Sequence, residues 1–561
     1  MNQNTKRQRW LAALLGALAG MLVFYVLYGT VTLHPTYDAW ILNGYDEWDI
    51  QQHYAGWVLF RNSHWAFPLG LADTIAAPDG TVISFTDSVP WVSIFFKALR
   101  GVLPSTFQWF GWYTLFCFAM QGAAGALLCA RRPMQSNTGT LAFSALGGLL
   151  FAMLPTLWER AFRHTALASQ WLFLLALYAF LEYRQQVYAG NERFPWAMPV
   201  LAFLSVGIHP YFLPLVMMCA LLAAVELGRA KGRWDRVALQ FAASLAAAAV
   251  GSVLCGAVGS GTGASRSGYG DYSMNLNALI NPSSRGGYTW SRLFHALPQQ
   301  PGQYDGFNYL GLGVLAAIAA ALLLNVRQLW RDPQQVRLWW KRNWPVFAAC
   351  VFLTLFAVSN KIYWGNTGVE LPLPEALLEL CGIFRSSGRI FYLVAACMLV
   401  YALYTLRSKL PGRYAVLALA LLVGVQAFDL SAAAQQKRQM FEQPINATAV
   451  NNEQTANLGA GHTSLLAAGE VREDRLRLLA ILAGKQGLAT NLDIAVSGSH
   501  LAAEASRADT ARQLAAGQYD PAAVYVTTDG AMWESWQQTF AQDATLTFFV
   551  ADSCYFMVPA A

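Results

Sequence analysis

Apolar runs of membrane-crossing length recur along this chain, and nothing else constrains its fold as strongly. About 20 apolar residues span the hydrocarbon of a bilayer as a helix. Every backbone polar group there must be satisfied within the segment, so such a run folds as a helix. Segments of this kind are predicted near 10–30, 106–130, 139–157, 166–183, 196–208, 211–228, 236–258, 308–326, 343–358, 389–407 and 413–430. Composition agrees: 55% of the residues are hydrophobic and 12% charged, against about 25% charged in a soluble domain. The expected fold is a polytopic α-helical membrane protein of about 11 transmembrane helices. The first run follows "KRQR" and exceeds the roughly 7–15-residue core of a cleaved signal peptide, so it reads as an uncleaved span.

The basic residues give the orientation. The formal net charge of +6 comes from short clusters between apolar runs, such as Lys6–Arg7–Arg9, Arg131–Arg132 and Arg229–Lys231–Arg233. With a cytoplasmic N-terminus, half of the 38 Lys and Arg fall in the short inner connections, as the positive-inside rule requires. This pattern is an orientation signal, and no nucleic-acid partner is expected. The longer loops, 31–105, 258–307 and 359–388, then lie outside with the C-terminal region. An outer site meets no ATP and no nucleotide sugar. "GSGTGASRSGYG" (259–270) lacks the GK[ST] ending of a phosphate loop and reads as a flexible loop. The 8 cysteines fall mostly in apolar runs without metal-ligand spacing, so neither a disulfide framework nor a zinc motif is indicated. Residues 1–430 are expected to form the membrane domain and 431–454 a linker. Residues 455–561 are expected to form a small periplasmic α/β domain, with a helix in "RLRLLAILAGKQG" and strands in "AAVYVTT" and "TLTFFVADSCYFMV".

Three clusters carry chemistry. In "NGYDEWDIQQHY", Asp46, Glu47 and Asp49 precede His53; Asp46, Asp49 and His53 share one face if the stretch is helical. Gly56, Trp57 and Phe60 continue that face, so the helix is expected along the membrane surface. Capping of a helix start accounts for one acid but not for three. In "FRSSGRIFY", Arg385 and Arg389 are spaced i, i+4 at the outer mouth of a span. A guanidinium fork fits phosphate oxygens, and snorkelling to headgroups is the competing use. Lys361 is a further phosphate candidate. In "WERAFRHTALASQW", Glu159, Arg160, Arg163 and His164 gather at another outer mouth, with Glu159 and Arg163 spaced for an ion pair. His209 reads as a loop histidine. "WVSIFFKALRGVLP" (91–104) is too short to span and reads as an interfacial helix.

Together these features resemble the GT-C superfamily of membrane glycosyltransferases. "YDEWDIQQHY" is similar to the acidic motif of protein O-mannosyltransferases and lipid A aminoarabinose transferases. "DIQQHYAGWVLFRNSHWAFPLG", "ISFTDSVPW", "YSMNLNALINP", "FNYLGLG" and "IFRSSGRIFY" look like a bacterial family grouped with that superfamily. The resemblance implies inverting transfer of a sugar from a polyprenyl-phosphate donor, at a bacterial inner membrane, to a periplasmic glycan, lipid or protein. It implies a catalytic acid at Asp49, with Asp46 and Glu47 competing, and donor phosphate on Arg385, Arg389 or Lys361. His53, Glu159, Arg163, His164 and Tyr288 are the candidate substrate contacts. It leaves room for a divalent cation, magnesium or manganese, on Asp46 and Asp49. The alternative is a transporter or flippase for a lipid-linked glycan, which should carry charges near mid-membrane. A noncatalytic polysaccharide-assembly protein is a third reading.

Overall fold

The computed structural model describes residues 3–43, 49–191, 193–258, 268–442, 452–495 and 500–560. A helix occurs at every expected apolar segment, but those helices are not alike. Among the described residues, seven are long and apolar enough to cross a membrane: Gln3–Tyr28, Phe110–Ala130, Thr165–Tyr188, Phe212–Lys231, Trp234–Cys255, Ser387–Lys409 and Gly412–Glu442. Asn137–Ala152, Ala197–Val206 and the apolar part of Leu312–Arg331 are shorter. Pro333–Val358 is long but opens on a charged, tryptophan-rich stretch.

Glycines set how closely the first helices pack. A Cβ on Gly16 would lie 2.3 Å from the carbonyl oxygen of Gly122, and one on Gly122 2.1 Å from that of Gly16. A Cβ on Gly148 would meet Gly122 O at 2.5 Å. Helices Gln3–Tyr28, Phe110–Ala130 and Asn137–Ala152 therefore touch backbone to backbone, the usual role of small residues between helices in lipid.

The long connections gather on one face of the bundle and bond to one another. Met274 N–H donates to Ala357 O, Leu276 N–H to Tyr363 O and Gly388 N–H to Tyr272 O. The C-terminal domain sits on this same face. Its five-stranded sheet has parallel strands at Ser464–Ala467, Ala489–Thr490 and Ala523–Thr527 and antiparallel ones at Leu546–Ala551 and Cys554–Pro559. Its helix Glu473–Lys485 packs on helix Asp49–Phe60. A Cβ on Gly484 would lie 2.6 Å from Val58 Cγ2, and Asn62 Nδ2 donates to Gly484 O at 2.6 Å.

Two sequence expectations change here. Helix Asp49–Phe60 presents no exposed apolar face: every residue from Ile50 to Phe60 is buried, between helix Glu473–Lys485 on one side and its own loop on the other, where Trp57 meets Phe96 and Phe107. Residues 431–442, expected as linker, continue the helix Gly412–Glu442. Ala and Gln favour that state, and Phe441 is held among Tyr28, Trp40 and Phe162. By contrast, the short helix Pro90–Ala98 and the residues after it leave Phe95, Leu99 and Val102 exposed.

Candidate functional site

The site assembles from five connections that meet at the mouth of the bundle. Asp49 and His53 stand one turn apart on helix Asp49–Phe60. Asp87 comes from a turn in which Asp87 and Val89 both have left-handed backbone, φ 54° and 45°. Aspartate tolerates that region and valine does not, so surrounding contacts must hold the turn. Gly56 supplies one of them. Its missing Cβ lets Thr86 and Ser88 approach, and Ser88 Oγ donates to His53 O at 2.7 Å. Gly207 supplies the other. A Cβ there would lie 2.1 Å from the Trp91 ring, and Trp91 N–H donates to Gly207 O at 2.9 Å. Asp87 is thereby held between the elements carrying His53 and His209.

The distances follow from this clamp. Asp87 Oδ2 lies 4.0 Å from His53 Nε2, and Asp87 Oδ1 3.6 Å from His209 Nε2. Asp49 Oδ2 lies 3.5 Å from His164 Nδ1. His53 Nδ1 is 3.2 Å from Thr165 Oγ1. His209 Nδ1 accepts the Tyr211 N–H at 3.2 Å, which puts the proton on Nε2, facing Asp87. Among the described residues, His53, Asp87 and His164 bring one ligand atom each within 4.8 Å of one another, the grouping that could hold a metal ion.

Behind these groups runs a buried ionic cluster. Glu159 pairs with Arg160 at 2.8 Å, Arg285 at 2.9 Å and Arg163 at 3.2 Å. Asp305 pairs with Arg160 at 2.7 Å and Arg389 at 2.9 Å. Gly388 against Gly306, where a Cβ would meet Cα at 2.5 Å, brings Arg389 to Asp305. Burial opposes charge on Glu159, but its three arginines prevail and hold the carboxyl down to about 2. Asp305 is likewise held well below the usual range: Arg160 and Arg389 outweigh its burial.

Asp49 and Asp87 behave oppositely. Burial raises both, and Asp87 adds repulsion to Asp49, only partly offset by Arg477, Arg285 and Arg163. Arg389 offsets part of the burial of Asp87. Burial lowers His53 to about 3. His164 and His209 are pushed well below 6.5 by burial first and by Arg389 and Arg160 next. At neutral pH the three imidazoles are uncharged. Among the described residues, four acids thus meet here. Two are neutralised by arginine, and two stand beside neutral histidines.

The sequence candidates divide accordingly. Asp49, His53, Glu159, Arg163, His164 and Arg389 come together. Asp46 and Glu47 lie outside the described residues. Arg385 is exposed, its guanidinium 5.7 Å from the Tyr272 ring centre, and precedes the turn of 3-10 helix that carries Arg389. The two arginines therefore do not share a helix face. Lys361 pairs with Asp271 at 2.6 Å in another cleft, of about 230 Å³, with Gln300, Tyr363 and Glu370. Tyr288 packs on Trp290, and its hydroxyl lies 3.1 Å from Met440 Sδ. Sequence reasoning missed Asp87, Asp305 and the role of His209. The only signals were the place of Asp87 in the quoted stretch "ISFTDSVPW", of Asp305 two residues before the quoted "FNYLGLG", and of His209 before Pro210.

Comparison with known proteins returns two matches. The model of a domain of unknown function, DUF6311, covers residues 17–431, and that of the DUF6311 C-terminal domain covers residues 454–559. No curated protein and no solved structure matches the chain.

Proposed function

The chain belongs to the DUF6311 family, and we propose that it is an integral membrane glycosyltransferase of GT-C type. In this reading it moves a sugar from a polyprenyl-phosphate donor to a glycan, lipid or protein acceptor, with inversion. The shorter and more charged helices complete a bundle of about 11 spans in a bacterial inner membrane. The N-terminus is cytoplasmic, and the face carrying the long connections and the C-terminal domain is periplasmic.

One observation carries the reading. Asp49 and Asp87 are carboxyls at the mouth of an apolar bundle, with no Arg or Lys in ion-pair contact among the described residues, beside arginine-rich neighbours. A base must be free to take a proton, and Glu159 and Asp305 are not. Asp49 takes the acceptor hydroxyl proton as that oxygen attacks the anomeric carbon. The bond from that carbon to the phosphate oxygen breaks, and the electron pair leaves on phosphate. Arg389, held in place by Asp305, and exposed Arg385 receive the phosphate charge, so no general acid is needed. His164, beside Asp49, orients the base. The transporter reading has less to draw on. The acids inside the expected spans lie near span ends and are partnered: Glu182 by Arg9 and Arg131 at 2.7 and 2.6 Å, Glu226 by Arg184 and Arg229 at 3.2 and 3.3 Å, and Asp429 by the hydroxyls of Ser291 and Tyr309 and the Leu312 N–H.

The test is transfer by the purified chain in liposomes containing polyprenyl-phosphate sugars, read together with mass spectrometry of surface glycans with and without the gene. Asp49→Asn should lower turnover by about 10²-fold or more at unchanged expression. Asp49→Asn and Asp87→Asn both leaving glycans as in wild type would remove the proposal. Movement of the lipid-linked sugar across vesicles without a covalent product would replace it with the transporter.

A further inference from the structure

We propose that His53, Asp87 and His164 form a binding site for a divalent transition-metal ion, zinc foremost, with one coordination position open toward the face of the connections. This does not rest on the glycosyltransferase reading, because the argument is one of ligand geometry and charge.

The three groups converge from separate parts of the chain, each offering one ligand atom within 4.8 Å of the others. They are not hydrogen-bonded to one another: His53 Nε2 and Asp87 Oδ2 are 4.0 Å apart. Two ligands about 2.1 Å from a zinc ion at a tetrahedral angle are about 3.4 Å apart, so a modest contraction closes the site on an ion.

The surroundings also fit. A ligating imidazole is normally held through its other nitrogen. His53 Nδ1 has Thr165 Oγ1 at 3.2 Å, leaving Nε2 directed to the Asp87 side. His209 is not a ligand, since its Nδ1 accepts the Tyr211 N–H and its protonated Nε2 faces Asp87 Oδ1, where it orients the carboxylate. Asp49, 3.5 Å from His164 Nδ1, stands where a carboxylate steadies a ligating imidazole.

The ion pairs leave the ligand available. Glu159 and Asp305 are each in direct contact with arginines, whereas Asp49 and Asp87 have ion-pair-range contacts only with histidines among the described residues. No cationic side chain therefore occupies the Asp87 carboxylate. Two imidazoles and a carboxylate favour zinc, iron or manganese over magnesium and calcium. The Asp87 side chain is 21% exposed and that of His164 19%. A fourth ligand can therefore enter, as in reactive rather than structural zinc sites.

The experiment uses the full chain in lipid nanodiscs, with any histidine tag removed, stripped by chelator and titrated with Zn²⁺. Elemental analysis should find about one zinc per chain. Asp87→Asn and His164→Gln should each lose it, and Thr165→Val, which keeps all three ligands, should weaken binding by about 10-fold. Co²⁺ in the wild type should give visible bands of a four- or five-coordinate ion, a readout independent of any variant's folding. Magnesium in excess should not displace zinc. Equal zinc in wild type and in a folded Asp87→Asn/His164→Gln double variant would overturn the site, as would cobalt bands of a six-coordinate aqua ion. Sugar transfer is not among the readouts, so either proposal can fail alone.

Discussion

Glu159 carries more compensation than a single acid needs, and its loss should be felt accordingly. Glu159→Gln leaves Arg160, Arg163 and Arg285 without their shared carboxylate in a buried place. Removing one partner of a buried pair costs about 3–5 kcal/mol, and thermal unfolding in detergent should show it. The pH dependence has a definite sign. The Glu159 carboxyl sits at about 2 when folded, against about 4.3 unfolded. Its contribution is therefore complete above the unfolded value and disappears as pH falls toward about 2. Wild type should lose stability through that window, and Glu159→Gln should show a shallower acid limb. Part of this cluster was legible: the i, i+4 spacing of Glu159 and Arg163 is borne out at 3.2 Å. Arg285 and Asp305 were not, because partners 84 to 145 residues away leave no spacing to read.

At the scale of elements, the helices were the legible part, since each apolar run states its own length and state. The turn carrying Asp87 was not. Its shape is imposed by two glycines remote in sequence, Gly56 and Gly207, and not by its own residues. Gly56→Ala would press a methyl to 2.4 Å from Ser88 Oγ and Thr86 Oγ1. Overpacking of this kind costs about 1–3 kcal/mol, and the Asp87 turn should shift before the helix does. A lower unfolding temperature with unchanged helical circular dichroism would check this. The glycine contact between the first helices predicts a different failure. Gly16→Leu should part the helix from Phe110–Ala130 and lower the yield of folded protein in membranes, whereas Leu18→Ala, at an exposed position, should not.

At the scale of the molecule, the C-terminal domain acts as a cover for the site helix. Lys485 Nζ meets Asp38 Oδ2 at 2.9 Å, and Tyr54 from the buried helix donates to the same oxygen at 2.9 Å. Thr490 N–H donates to Thr74 O and Ala76 N–H to Leu492 O. A double-mutant cycle on Asp38→Ala and Lys485→Ala should give a coupling of about 0.5–3 kcal/mol. Additivity would mean that the two parts stand independently. The strands and helix of this domain were legible from alternation and periodicity; its docking was not, because the docked faces are apolar like any core face. The clamp on Asp87 has one consequence of a historical kind. Positions 56, 86–91 and 207 should be inherited together, so among relatives a side chain at 56 or 207 should occur only where the segment between Thr86 and Trp91 has also been rebuilt.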